Sequence, residues 1–295
     1  MIAYYLVYPI LYLISLLPFR LLYALSDAIC FLLFGLIGYR KKVVVQNLRK
    51  AFPEKTEQEI QAIAMKFYHY FCDLVLETVK SISISYEELS KRFVMTEEAI
   101  SSFKHFADKG QSIIIVMGHH GNWEWGGNRF GLVSPQQLYA IFRPLHNKHF
   151  NNLIIRIRTR FNTRLLTDRD VIGGMREHKR KGELTATVFL ADQTPSSKNV
   201  YWTRFLNQDT PVFWGTERAA IQLNLPVVYA DIKRIKRGYY HVESRILVED
   251  PQLYKKNGMI SELHTRVLEA DIMAQPETWL WTHRRWKRSK PAPKS

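Results

Sequence analysis

From residue 112 onward, short apolar runs and helix-like stretches take turns along the chain, and this alternation limits the fold more than any other feature of the sequence. The runs occupy 112–117, 138–142, 185–190, 226–232 and 239–248, while apolar residues spaced by three and four mark 149–161, 169–181, 214–224 and 258–273. A strand must pair its backbone groups with another strand, and a helix between two strands lets the chain return in the same direction. The expected class is therefore α/β, a central mostly parallel or mixed sheet flanked by helices, with room for an antiparallel edge. At 295 residues the chain can bury a sizeable core, and no internal repeat or low-complexity linker interrupts it.

Upstream of that alternation the composition changes twice. "KTEQEIQAIAMKFYHYFCDLVLETVKSI" (55–82) carries Ile60, Ile63, Ala64, Phe67, Phe71, Leu74, Val75 and Thr78 on one helical face. Pro53 breaks the chain before it, and Thr56 stands three residues ahead of Glu59, the spacing of a capping box. Residues 1–39 are apolar apart from Arg20 and Asp27, so the whole basic excess lies beyond residue 39. We read 1–39 as a hydrophobic membrane anchor, 40–286 as the α/β domain and 287–295 as a disordered basic tail. A spanning helix, a re-entrant hairpin and an interfacial anchor all agree with the anchor's length and with Asp27 inside it. "YRKK" (39–42) on its C-terminal side places the body in the cytoplasm by the positive-inside rule.

"MGHHGNWEW" (117–125) directly follows the strand-like "SIIIV" and concentrates polar and aromatic groups at a strand end, where open α/β folds hold their ligands. Gly121 permits a turn, Asn122 is a good N-cap, and a helix from Trp123 would put Glu124 in its first turn, able to fold back on His119. A carboxylate on one imidazole nitrogen leaves the other basic, the arrangement that takes a proton from a hydroxyl. The competing readings are a satisfied structural histidine pair and a metal site on His120 and Glu124. No H-E-x-x-H pattern or Cys/His set supplies further metal ligands, and no G-x-S-x-G elbow supplies a serine nucleophile. Cys30 and Cys72 lie in apolar surroundings and are expected to be reduced thiols. Nothing in the sequence calls for a metal or an organic cofactor.

"GHHGNWE" carries the H-x-x-x-x-[DE] signature of glycerolipid acyltransferases, and its H-x-G-N-W-E form resembles the lipid A biosynthesis (late) acyltransferase family. "YRKKVVVQNLRKAFPE" (39–54), "FRP" (142–144), "RTRFN" (158–162), "ADQ" (191–193) and "QPETWLWTHRRWK" (275–287) resemble the same family in the same order. The resemblance implies transfer of an acyl chain from an acyl carrier protein to a hydroxyl of a lipid A precursor, at the cytoplasmic face of the inner membrane. It also implies that His119 is the general base and Glu124 its catalytic partner. Two departures stand out: Asn162 replaces a usual glycine, and 194–213 keeps only the outline of the family pattern, which leaves the acyl length and acceptor open.

The 42 Lys and Arg against 27 Asp and Glu give a net charge of +15, which favours anionic partners. Ten basic residues against three acidic ones lie between 143 and 180; from them we single out Arg143 and Arg158 as binders of a glycolipid phosphate. Asn122, Trp123, Asp192 and Gln193 complete the expected substrate contacts, with Asp192 orienting an arginine or an acceptor hydroxyl. Trp281 and Trp286, interleaved with basic residues in "WTHRRWKRSK", suit a membrane headgroup layer. Expected partners are acyl carrier protein or acyl-CoA as donor, an anionic glycolipid acceptor and the membrane, with a lysophospholipid, aminolipid or mannolipid as the alternative acceptor. A nucleic-acid binder is disfavoured, since no recognition motif is present and it leaves the apolar first 39 residues without a purpose.

Overall fold

The computed structural model describes residues 2–195 and 200–291. Its first elements are helical: α1 (Ile2–Leu16), α2 (Phe19–Cys30), a π-helical turn over Phe31–Ile37, α3 (Lys41–Ala51), α4 (Glu57–Lys80) and α5 (Tyr86–Arg92). Thr56 closes the expected capping box with Glu59 and starts α4, the longest helix. Then follow β1 (Phe93–Met95), α6 (Glu97–Asp108), β2 (Ile113–Met117), α7 (Trp123–Val133), β3 (Gln137–Phe142), α8 (Lys148–Arg158), β4 (Arg164–Thr167), α9 (Val171–Arg180) and β5 (Thr185–Leu190). A hairpin of β6 (Tyr201–Phe205) and β7 (Gln208–Val212) precedes α10 (Gly215–Leu223), β8 (Val227–Lys236), β9 (Tyr239–Val248) and α11 (Met259–Ala274).

Seven strands form one sheet in the order β1-β9-β8-β2-β5-β3-β4. The five from β8 to β4 are mutually parallel, β9 runs antiparallel to β8, and β1 pairs parallel with β9. The mixed sheet thus matches the expected class. Its antiparallel part lies at one edge, where the sequence left room for it: β9 and the three-residue β1 that covers its free side both run against the other five strands.

Both faces of the sheet are covered, and the alternation along β2 shows how. Ile114 and Val116 join a core with Phe67 and Tyr70 of α4, Ala219 of α10 and Leu268 of α11. Ile113, Ile115 and Met117 join the opposite core with Leu89 of α5, Phe103 of α6 and Trp125 of α7. All five β2 residues are buried, as expected of a central strand covered on both faces.

A buried acid ties these layers together. Glu77 of α4 accepts hydrogen bonds from Tyr23 at 2.8 Å, from Tyr240 of β9 at 2.7 Å and from the Asn122 amide at 2.7 Å. Burial pushes its carboxyl up from 4.5 to about 7, against the lowering effect of the two tyrosine hydroxyls. In the unfolded chain the group ionises near the ordinary value. Stability is therefore expected to fall as pH rises from about 4.5 through about 7 and to level off above. Unfolding midpoints measured across that window should lose this slope in Glu77→Gln.

Candidate active site

Two strand ends bring the site together. In the β2–β5 ladder Met117 faces Leu190, so two residues further on His119 and Asp192 leave adjacent parallel strands side by side. Asp192 Oδ1 lies 2.6 Å from His119 Nδ1. Its Oδ2 accepts from the His119 backbone N–H at 2.9 Å and from the Trp279 indole N–H at 2.8 Å. Burial works to raise the Asp192 carboxyl, but the His119 ring, the His119 amide and Trp279 outweigh it and hold the group below the usual carboxylate range. The carboxylate is thus ionised and accepts the Nδ1 proton, leaving Nε2 as the basic nitrogen. Nε2 lies 3.1 Å from the Gln193 side-chain amide, which donates to it.

The turn after β2 is built from both sides. Gly121 adopts φ +61°, and a Cβ there would stand 2.2 Å from the Ile232 carbonyl oxygen, so no other residue fits. Tyr70 donates to the Gly121 carbonyl at 2.6 Å. Asn122 caps α7 as its sequence suggests, accepting from the Trp125 N–H at 2.9 Å. The expected substrate contact for Asn122 has no exposed atom to act through: the residue is fully buried, with one end of its amide on Trp125 and the other on Glu77. His120 turns inward as well. Its Nε2 lies 2.8 Å from the Thr278 hydroxyl and 3.3 Å from the Gln275 carbonyl oxygen, its Nδ1 lies 4.0 Å from Asp231, and burial pulls its pKa down.

Glu124 does not bond the imidazole, which corrects the sequence expectation. Starting α7 at Trp123 directs the Glu124 side chain toward α8, where it meets Arg158 in a two-pronged pair at 2.5 and 3.0 Å. The carboxylate beside His119 is Asp192, already held by the strand register. Arg158, Glu124 and Trp123 line a cavity of about 50 Å³ whose other walls include Met117, Ile141 and Leu190. The Trp123 ring, edge-on to the His119 ring at 4.9 Å, joins the cavity to the imidazole. Arg143 stays outside this group, mostly exposed and paired with Asp168 at 2.6 Å.

The C-terminal segment corrects a second expectation. Trp281 and Arg285 are buried, as is Trp279, and Trp286 is half-buried with its indole donating to Thr210 at 2.7 Å, while Arg284, Lys287 and Lys290 stay exposed. Trp279 bonds Asp192, Trp281 donates to the Pro276 carbonyl at 2.6 Å, and Arg285 donates to the Pro211 carbonyl at 2.8 Å, its guanidinium pushed down to about 10 by burial. His120 and Trp279 also form an isolated antiparallel bridge, so the segment is stitched to the turn that carries His119. The basic-tail expectation for 287–295 falls partly on 292–295, outside the described residues; within them, Arg288 donates to the Pro195 carbonyl at 3.1 Å.

A histidine held by a buried carboxylate, with a tryptophan between its ring and a cavity that joins apolar walls to an arginine, suits activation of a hydroxyl next to an apolar chain. Comparison with known proteins points the same way. The family model described as bacterial lipid A biosynthesis acyltransferase matches residues 1–288. The chain is 26% identical over 281 residues to the lipid A biosynthesis lauroyltransferase of Escherichia coli strain K12, covering 94% of this chain and 89% of that one. It is 22% identical over 272 residues to the lipid A biosynthesis palmitoleoyltransferase of the same strain, with coverages of 92% and 86%. The lipid A biosynthesis acyltransferase of Shigella flexneri matches to the same extent.

Proposed function

The chain belongs to the bacterial lipid A biosynthesis acyltransferase family, and from that premise we propose that it is a membrane-attached enzyme moving a fatty acyl chain from an acyl thioester to a hydroxyl of a lipid A precursor. The observation that carries the reading is the His119–Asp192 pair beside the cavity of Trp123, Glu124 and Arg158. His119 Nε2 takes the proton as the hydroxyl oxygen attacks the thioester carbon. The carbon–sulfur bond then breaks, and the proton passes from the imidazolium to the departing sulfur. No covalent enzyme intermediate is needed, because a thiolate leaves readily and positioning supplies most of the remaining acceleration.

The Gln193 amide bonds Nε2, so the acceptor hydroxyl replaces it there. The freed amide is then available to donate to the carbonyl oxygen as negative charge develops on it. Apolar Met117, Ile141, Val188 and Leu190 suit the acyl chain, and Arg158, held by Glu124, suits a phosphate or the carbonyl oxygen. The net charge of +15 supports an acidic acyl carrier protein as donor, with acyl-CoA as the second candidate. "YRKK" after the apolar hairpin supports attachment at the cytoplasmic face of the inner membrane.

Lipid profiling tests the acceptor. In a producing bacterium lacking this chain, mass spectrometry of the lipid A fraction is expected to show species lighter by one acyl chain. Unchanged lipid A, with a different acylated lipid missing, would transfer the same chemistry to a lysophospholipid, aminolipid or mannolipid.

A further inference from the structure

The apolar N-terminus, read from composition, is long enough to cross a bilayer over Phe19–Ile37. Its packing points elsewhere. We infer that α1, α2 and the π-helical turn lie flat in one leaflet, so that the N-terminus stays on the same side of the membrane as the catalytic body. The inference rests on the membrane attachment proposed above and adds its topology.

The first support is the length of the contact with α4. At one end Lys80 donates to the Ser15 and Leu17 carbonyls at 2.7 and 2.8 Å, satisfying the C-terminus of α1. Moving back along α4, Tyr23 bonds Glu77, Ser26 donates to Asp73 at 2.7 Å, Cys30 meets Cys72, and the Phe34 ring lies 4.9 Å from that of Tyr68. The hydroxyl of Tyr68 finally donates to the Tyr39 carbonyl. The whole stretch from Leu17 to Tyr39 therefore runs antiparallel to a helix of the globular domain. The far end of α1 is held too, with the Tyr4 ring stacked on His149 of α8 at 5.2 Å.

The second support is charge. Asp27 stands eight residues after Phe19 and ten before Ile37, so at 1.5 Å per residue it would lie about 12–15 Å from either end of a spanning helix, close to the bilayer midplane. It is bonded to Arg237 at 2.7 and 3.0 Å, and Arg237 also holds Asp73 at 2.7 Å. Arg234 reaches Asp73 as well, at 2.6 Å. A spanning orientation would drag these charges, half-exposed His69 and the turn between β8 and β9 into hydrocarbon. Each ion is costly there, and a lipid-facing turn with unpaired backbone groups is not tolerated.

Lying flat removes the conflict. The outward side of the hairpin is apolar: Leu6, Ile10, Leu13 and Leu16 on α1, and Leu21, Phe31, Leu36 and Ile37 beyond it, are all exposed. Arg40, Lys41 and Lys42 follow at its end, where anionic headgroups attract them. The occupant this face fits is therefore the acyl layer of a single leaflet.

The test uses the full chain with one epitope tag at each terminus, in sealed inside-out inner-membrane vesicles from an expressing bacterium, digested with proteinase K. A periplasmic marker reports that the vesicles are sealed. Both tags are expected to be lost completely, as they would be on one exposed side. Retention of the N-terminal tag with loss of the C-terminal one would overturn the flat topology. Recovery of the chain in the soluble fraction would overturn membrane attachment itself, a result distinct from the first and fatal to both.

Discussion

His119→Ala is expected to lower acyl transfer by about 10²- to 10⁴-fold, the range for removal of a positioned general base, while leaving the folded state intact because the ring is partly exposed at a strand end. The sharper variant is Asp192→Asn. Oδ2 of Asp192 accepts from two N–H groups, the His119 amide and the Trp279 indole, whereas Oδ1 accepts from one. An asparagine has a single carbonyl oxygen and is expected to place it where two donors converge. Its NH₂ then points at His119 Nδ1 and forces the proton onto Nε2, so the nitrogen facing the hydroxyl is no longer a base. The equivalent change in serine-protease triads lowers kcat by about 10⁴. Steady-state assays on both variants, with circular dichroism to verify folding, check this. An Asp192→Asn enzyme retaining near-normal turnover would remove the dyad from the mechanism.

The second large effect is expected at Glu124. Glu124→Ala leaves Arg158 without its partner at the cavity wall, with the Arg158 side chain 30% exposed. Breaking a fully buried pair costs about 3–5 kcal/mol, and partial solvent access reduces the expected loss here to about 2 kcal/mol. Activity should fall further than stability, because a mobile Arg158 no longer meets the bound substrate in one geometry. Arg158→Lys is not expected to restore turnover, since one ammonium cannot make the two-pronged contact. Thermal unfolding and kinetics on the two variants separate the effects. If Glu124→Ala lost stability but kept its rate, the pair would be a structural clasp only.

The elements that periodicity can report were legible. Five apolar runs and four helical stretches coincide with β2, β3, β5, β8, β9 and α8 to α11 to within a few residues, and the Thr56–Glu59 box and the Asn122 cap fall where their spacing put them. Segments too short to show a period were missed: β1 has three residues, β4 has four, and the β6–β7 hairpin carries polar side chains along most of its length.

The site was half legible for a related reason. Proximity in sequence suggested Glu124 for His119, whereas the actual partner lies 73 positions away and is brought alongside by the β2–β5 register, which no local pattern encodes. The one available signal was that Asp192, like His119, immediately follows an apolar run. Trp281 and Arg285 were misread because aromatic and basic residues interleave at membrane surfaces and also in a segment that threads back into a protein core.

That returning segment also makes the orientation of the base depend on distant parts of the chain. The indole of Trp279 donates to Asp192, and Arg285 pins the strap against the β6–β7 hairpin, contacts that span 87 and 74 positions. A chain folded only as far as β9 has His119 and Asp192 on neighbouring strand ends but lacks the indole that holds the second carboxylate oxygen. Loss of the Trp279 indole is therefore expected to loosen the base at His119 while the β2–β5 register stays as it is.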